Sequence, residues 1–287
     1  ISMYKINFQK PIHIHFIGIG GISMSGLAEI LLEEGFTVSG SDAKESPLTK
    51  KLESEGAVIH YGQCAENITD DINCVVYTAA INKSNPELME AVGKKIPMLT
   101  RAELLGQLMK NYDTPIAVSG THGKTTTTSM ISEVLLAADM DPTISVGGIL
   151  KTIGGNIRVG KSGNFITEAC EYTNSFLHFY PKISVILNIE EDHLDFFKDL
   201  EDIRHSFHQF SALLPSDGTL IINGDIKDYQ EIYEGLDCNV ITYGSSAEFD
   251  YSATEIQYDE KGFVSFELLK HNTSCGRVQL SVTGDHN

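Results

Sequence analysis

The first hundred residues alternate between two hydrophobic periodicities. Helical spacing appears in Leu27, Ile30 and Leu31, which precede Gly35, and again in the segments 48–55, 86–92 and 102–109. Short apolar runs typical of buried strands lie between these helices, at 12–17, 37–40, 58–61, 74–78 and 97–100. Strand and helix signals that alternate in this way predict an α/β fold with a Rossmann-like, doubly wound parallel sheet.

The pattern restarts after the polar segment 111–115. Residues 127–138 are predicted to form a helix, and Leu200, Ile203, Phe207 and Phe210 mark an amphipathic helix further on. New strands are predicted at 116–119, 165–167, 184–188, 219–222 and 239–243. From Tyr251 the chain changes to alternating strands turned at 259–262, which indicates an antiparallel portion. We therefore predict two α/β domains, residues 1–112 and residues 113–287.

Composition narrows the possible partners. Of the 287 residues, 41% are hydrophobic and 21% are charged, which is typical of a globular protein with a real core. The net charge of −18 argues against nucleic acid and anionic membrane surfaces, and no apolar stretch is long enough to cross a bilayer. The 5 cysteines are odd in number and never spaced C-x-x-C. They indicate free thiols, and so a cytoplasmic protein without a disulfide framework.

A glycine-containing loop, Gly120–Thr126, lies between a predicted strand and a predicted helix. Its glycines allow the backbone to curl so that N–H groups face phosphate oxygens, and the helix N-terminus adds partial positive charge. Lys124 can bridge the β- and γ-phosphates, and the Thr125 hydroxyl can ligate Mg²⁺. A glycine turn with a solvated lysine would not explain why Lys-Thr follows the second glycine. We therefore predict ATP and Mg²⁺ as ligands, with ATP contacting Gly120, Thr121, His122, Gly123, Lys124, Thr125 and Thr126.

The loop departs from the standard P-loop because Val118 stands where that pattern has its first glycine. The shorter form G-T-H-G-K-T-T resembles the Mur ligase family, which joins amino acids to a UDP-linked muramic acid in peptidoglycan synthesis. The segments F-I-T-E-A-C-E at 165–171 and N-I-E-E-D-H-L-D at 188–195 also resemble motifs of that family. The resemblance implies a P-loop ATPase-type second domain in which Lys124, Glu168 and His193 are catalytic. It also implies a metal site formed by Thr125, Glu168 and His193.

Two acidic residues in these segments are open to more than one interpretation. Glu171 and Asp195 are as consistent with plain solvation as with a supporting role at the site.

The N-terminal glycine run, 18–26, is compatible with two functions. As a G-x-G-x-x-G motif it has Ser23 in place of the third glycine, and Asp42 follows the second strand, so an NAD-dependent oxidoreductase stays possible. Together with G-S-D at 40–42, however, the run resembles the Mur ligases that add L-alanine to UDP-N-acetylmuramate. The resemblance implies that the UDP-substrate is bound by Gly18, Gly20, Gly21, Ser23, Ser41, Asp42, Thr78 and Arg101. For Arg101, a surface arginine at a helix start is an equally good interpretation.

The resemblance runs from Ile12 to Asn287, where T-G-D-H-N resembles a family motif that implies a contact between Asn287 and adenine. It implies that the third, amino-acid-binding domain is absent from this chain. The implied reaction forms an acyl phosphate on UDP-N-acetylmuramate with ATP, after which the amine of L-alanine attacks. Another Mur-type ligase, or a nucleotide-binding module without complete catalysis, would fit the same motifs.

Overall fold

The first sheet is entirely parallel. The computed structural model describes residues 4–283. Its first five strands lie in the order β3-β2-β1-β4-β5, with helices in the connections, which confirms the Rossmann-like arrangement. The elements are β1 (His13–Ile17), α1 (Ile22–Glu33), β2 (Thr37–Asp42), α2 (Pro47–Ser54), β3 (Val58–Tyr61), β4 (Cys74–Tyr77), α3 (Pro86–Gly93), β5 (Met98–Thr100) and α4 (Arg101–Met109).

The second sheet has ten strands and is mixed. Its order is β15-β14-β13-β12-β11-β10-β6-β9-β7-β8. Neighbouring strands from β13 to β7 in this order are parallel. The pairs β7–β8, β13–β14 and β14–β15 are antiparallel. The predicted antiparallel portion is therefore confirmed. The elements are β6 (Thr114–Ser119), α5 (Lys124–Ala137), β7 (Thr143–Leu150), β8 (Gly155–Arg158), β9 (Asn164–Ala169), β10 (Ile183–Ile186), α6 (Leu200–Ser211), β11 (Thr219–Asn223), β12 (Asn239–Gly244), β13 (Tyr251–Tyr258), β14 (Phe263–Lys270) and β15 (Thr273–Thr283).

Two features of the second sheet differ from the sequence prediction. Helix α5 begins at Lys124, not at residue 127, so Lys124 and Thr125 belong to its first turn. The β7–β8 hairpin was not predicted, because Gly147 and Gly148 interrupt the apolar pattern that marks a strand. The hairpin nonetheless borders the predicted phosphate site.

The two sheets share a hydrophobic core cluster. Phe16 from β1 and Phe165 from β9 are both fully buried in it. Helix α4 packs against the 3₁₀ segment Tyr172–His178 so closely that a Cβ on Gly106 would lie 1.9 Å from the backbone oxygen of His178. The division into domains at residue 112 stays a prediction, although the strands of the two sheets lie on either side of it. Among the described residues, no helix combines the length and apolar character of a membrane span.

Candidate functional site

Glycine is required at two positions of the loop between β6 and α5. Gly120 has φ 147°, and a Cβ there would lie 2.9 Å from the Cβ of Leu187. Gly123 is the residue before α5 and is left-handed, with φ 81°. A side chain at either position would be strained or would clash, so the tight curl of the loop depends on both glycines.

Asn188, just beyond β10, holds the loop against the second sheet. Its backbone oxygen accepts from the N–H of Thr121 at 3.2 Å, and its side-chain amide exchanges two hydrogen bonds with the backbone of His122, at 2.8 and 3.0 Å. The N–H groups of the next four residues, 123–126, donate to no protein acceptor within residues 4–283. These four donors, at the positive end of α5, are the ones a phosphate group would use.

Lys124 turns back onto the loop. Its ammonium donates to the backbone oxygens of Gly120 at 2.5 Å and Thr121 at 3.2 Å, and to Oε2 of Glu171 at 3.2 Å. Glu171 is 2% exposed, and its other oxygen, Oε1, has no hydrogen-bond partner. The loop lysine therefore lies in a buried ion pair, and the remaining oxygen of that pair is unsatisfied.

Glu168 and Thr125 both lie against β7. The Oε1 atom of Glu168, near the carboxyl end of β9, accepts from the N–H of Gly147 at 2.6 Å. The next residue, Gly148, faces Thr125, because a Cβ on Gly148 would lie 3.2 Å from the Thr125 methyl carbon. The hairpin missing from the sequence prediction therefore contacts both predicted metal ligands, Glu168 through Gly147 and Thr125 through Gly148.

His193 lies next to Glu171. Its Nε2 is 4.0 Å from Glu171 Oε1 and 3.8 Å from Asp192 Oδ2. The ring stacks on Tyr172 with centroids 4.5 Å apart, and the Tyr172 hydroxyl donates to Asp195 at 2.7 Å. The structure thus brings His193 to Lys124 through Glu171. It shows no contact within residues 4–283 that joins His193 to Glu168 or Thr125.

The predicted UDP-substrate residues lie at or just beyond the carboxyl ends of four strands of the first sheet, at one edge. The N–H groups of Gly18 and Ile19 donate to the backbone oxygen of Ser41 at 2.9 and 3.0 Å, and the N–H of Gly20 donates to Asp42 Oδ2 at 2.8 Å. Gly21 comes directly before α1, and the exposed Ser23 lies in the first turn of that helix. The half-buried Thr78 follows β4, and Arg101 follows β5.

Ser41 contacts the glycine turn through its backbone and not through its side chain. The side chain is fully buried, and its hydroxyl donates to Glu87 Oε2 at 2.5 Å. Glu87 is also fully buried, and its Oε1 accepts from Asn67 at 2.8 Å and lies 3.3 Å from His15 Nε2. Ser41 therefore shapes the glycine turn through its backbone oxygen, while Glu87 holds its side chain on the other side of the sheet.

Arg101, at the start of α4, lies near Cys170, which follows β9 of the second sheet. Arg101 is half-buried and has no hydrogen bond or ion pair within residues 4–283. Burial lowers the pKa of its guanidinium, and the nearby Cys170 thiol, just after β9, partly opposes that shift. A half-buried guanidinium without an acidic partner is typical of a site for an anionic ligand.

Comparison with known proteins agrees with this arrangement. The chain matches the Mur ligase family, catalytic domain, over residues 13–113 and the Mur ligase middle domain over residues 118–287. The chain belongs to the Mur ligase family. Proteins named UDP-N-acetylmuramate–L-alanine ligase are 63% identical in Agathobacter rectalis and 61% identical in Lachnospira eligens, over 99% of this chain. The chain spans 62% of the length of each of these relatives.

Solved structures of Mur ligases share the fold. A UDP-N-acetylmuramate:L-alanyl-γ-D-glutamyl-meso-diaminopimelate ligase from Neisseria meningitides superposes with a TM-score of 0.84 and 30% identity, over 96% of this chain and 90% of that one. A UDP-N-acetylmuramate–alanine ligase from Thermotoga maritima has a TM-score of 0.79 and 28% identity, over 96% of this chain and 62% of that one.

The residues of this Mur ligase fit a magnesium nucleotide. Mg²⁺ usually takes one or two carboxylates, with phosphate oxygens and waters completing its shell. The predicted ligands Glu168 and Thr125 would offer a carboxylate and a hydroxyl oxygen, and the buried Glu171 has one oxygen without a partner. Within residues 4–283, no group of three His, Cys, Asp or Glu side chains is arranged to hold a metal alone.

Sequence reasoning left two residues of the site without a role. Asn188 fixes the loop, and its place at the end of a predicted strand, two residues before an acid, was the available signal. Glu171 was left undecided, because its burial and its contact with Lys124 depend on strands far apart in sequence. Asn287, the predicted adenine contact, lies outside the described residues.

Proposed function

We propose that this chain is the substrate- and ATP-binding part of a ligase that joins L-alanine to UDP-N-acetylmuramate. The observation that carries the proposal is the identity of 63% over 99% of the chain to a protein named for this activity. The loop geometry supports it, because four N–H groups without a protein acceptor among the described residues, Lys124 and Thr125 all belong to the loop and the first turn of α5. We expect the protein to act in the cytoplasm, and the complete reaction is proposed for a full-length protein.

In the proposed reaction, ATP phosphorylates the lactyl carboxylate of UDP-N-acetylmuramate. The carboxylate oxygen is a poor leaving group, and phosphorylation converts it to a good one, so that the amine of L-alanine can displace phosphate and form an amide. The N–H groups of 123–126 and Lys124 would hold the phosphates in line with the carboxylate. Thr125, Glu168 and, less directly, His193 would hold Mg²⁺, which would supply positive charge beside the phosphates.

The first sheet would hold the UDP-substrate. We propose that the N–H groups of the turn at 18–21 and the side chain of Thr78 contact the UDP part, beside the carboxylate of Asp42. Arg101 would bind an anionic group at the boundary between the sheets, close to the end of the substrate that reacts.

Isothermal titration calorimetry tests the proposal. We expect UDP-N-acetylmuramate and Mg·ATP each to bind this chain with one site. NADH is the control ligand, because the glycine run also matches a dinucleotide motif in part. Tight binding of NADH without binding of the UDP-sugar or of ATP would contradict the proposed function.

A second candidate differs in the group that is added. The Neisseria meningitides structure, with the TM-score of 0.84, is of a ligase whose name includes a peptide in place of alanine. Its 30% identity is far below the 63% of the alanine-ligase relative, which favours alanine. Ligation assays of a full-length protein with L-alanine and with the tripeptide would separate the two activities.

A further inference from the structure

The ammonium of Lys124 has no free donor. A lysine ammonium has three N–H groups, and here they are directed at the oxygens of Gly120, Thr121 and Glu171. Lys124 therefore cannot bind a phosphate group in this arrangement unless at least one of these contacts is released. The contact with Glu171 matters most, because it joins two charges.

Glu171 would be left in an unfavourable state by that release. Its side chain is 3% exposed, Lys124 is its ion-pair partner at 3.2 Å, and Oε1 is already unsatisfied. A buried carboxylate without a compensating cation is costly, and the approach of a triphosphate would add like charge. The neighbouring groups do not solve this, because His193 Nε2 lies 4.0 Å from Oε1 and Asp192, beyond it, is another acid.

We propose that Glu171 is a cation-binding residue that exchanges the ammonium of Lys124 for a divalent cation when a nucleoside triphosphate binds. This inference rests on the proposed function, since ATP is the nucleotide concerned. A carboxylate oxygen is a hard ligand that suits Mg²⁺, and the phosphates supply the further oxygens that the described side chains do not provide alone. In the nucleotide-free protein, Lys124 takes the place of the metal.

The first experiment compares the affinity for ATP with and without Mg²⁺ in the wild type, Glu171→Gln and Glu190→Gln. Glu190 is the control, because it is an exposed acid beside the loop, 3.6 Å from His122. We expect Glu171→Gln to bind magnesium-free ATP about tenfold more tightly than the wild type, since a nearby like charge is removed and Lys124 is freed. Mg²⁺ should then improve its ATP affinity about tenfold less than it does for the wild type. Glu190→Gln should keep the magnesium dependence of the wild type.

A second experiment measures Mn²⁺ binding to the nucleotide-free protein by electron paramagnetic resonance. Lys124→Met removes the ammonium from Glu171, so we expect its tightest Mn²⁺ site to be at least about tenfold stronger than in the wild type. The double variant Lys124→Met/Glu171→Gln should lose that gain. Because it keeps the rest of the acidic surface, it also measures the weak background binding of Mn²⁺ that must be subtracted. The comparison of Lys124→Met with the wild type is informative even if the single variant Glu171→Gln does not fold.

The outcomes separate this inference from the proposed function. If the wild type binds no ATP, both fail. If the wild type binds ATP with a magnesium dependence that Glu171→Gln shares in full, or if Lys124→Met gains no Mn²⁺ affinity, only the role of Glu171 is overturned.

Discussion

The contact between α4 and the segment Tyr172–His178 predicts a strong effect of Gly106→Ala. Alanine is favoured over glycine in a helix interior by about 1 kcal/mol, so the change would normally stabilise the protein. Here a Cβ would lie 1.9 Å from the backbone oxygen and 2.9 Å from the backbone carbon of His178. No rotamer change relieves that clash, because both partners are backbone. We expect the cost of overpacking, about 1–3 kcal/mol, to reach its upper end and exceed the helix gain.

The expected net loss is about 2 kcal/mol, which corresponds to a fall in melting temperature of about 3 °C for a chain of this size, because the entropy of unfolding scales with chain length. Differential scanning calorimetry of the purified variant measures it. Gly93→Ala is the matched control: Gly93 is also helical, at the end of α3, but nothing lies within 4 Å of its added Cβ. The control should be neutral or up to about 1 kcal/mol more stable. A Gly106→Ala protein as stable as the control would refute the close approach of α4.

Three further predictions concern charged and ionisable groups. Lys124→Met should weaken Mg·ATP binding about 10- to 100-fold in calorimetry, because charge-assisted hydrogen bonds to phosphate are lost; an unchanged affinity would contradict its role. Arg101→Met should weaken UDP-N-acetylmuramate binding about tenfold. It should keep or raise the melting temperature, since the guanidinium is half-buried without an ion-pair partner among the described residues. A lower melting temperature with full affinity would indicate a structural role. Burial raises the pKa of the Cys74 thiol from 9.0 to about 12. The unfolded chain therefore loses this proton at a lower pH than the folded chain. The free energy of unfolding should fall as the pH rises from 9.0 towards about 12, by at most about 1.4 kcal/mol per pH unit. Urea unfolding at pH values below and above 9.0 measures how the free energy of unfolding depends on pH. Cys74→Ala should lack the thiol's part of this dependence, and an unchanged dependence would exclude the thiol as its source.

The sequence predicted the parallel strands well, because buried strands between helices have a local signature. It missed the β7–β8 hairpin for a physical reason: Gly147 and Gly148 carry no side chains that could show a strand periodicity. Their function is to let Glu168 and Thr125 approach the backbone closely. A hydrophobic pattern cannot reveal a strand whose role depends on missing side chains.

The candidate site shows a similar limit. Ser41 and Asp42 are adjacent in the G-S-D motif, but side chains alternate across a strand, so Asp42 reaches the glycine turn while Ser41 faces Glu87, which is 46 residues away in sequence. Likewise, Glu168 and Glu171 lie three residues apart around the end of β9, where strand alternation no longer predicts direction. Motifs located the site, whereas the division of roles within it depended on contacts between distant segments.

The buried group around Glu87 has a consequence for how this family can diverge. Ser41, Asn67 and His15 all face one carboxylate in the interior, and none of them is exposed beyond 8%. Replacing a single member with an apolar residue would leave another polar atom stranded without water, whereas replacing the whole group at once could be nearly neutral. Substitutions at these four positions, and at the buried Ser39, whose hydroxyl lies 2.8 Å from His15 Nδ1, should therefore be inherited as a set, and intermediate combinations should be rare among living lineages.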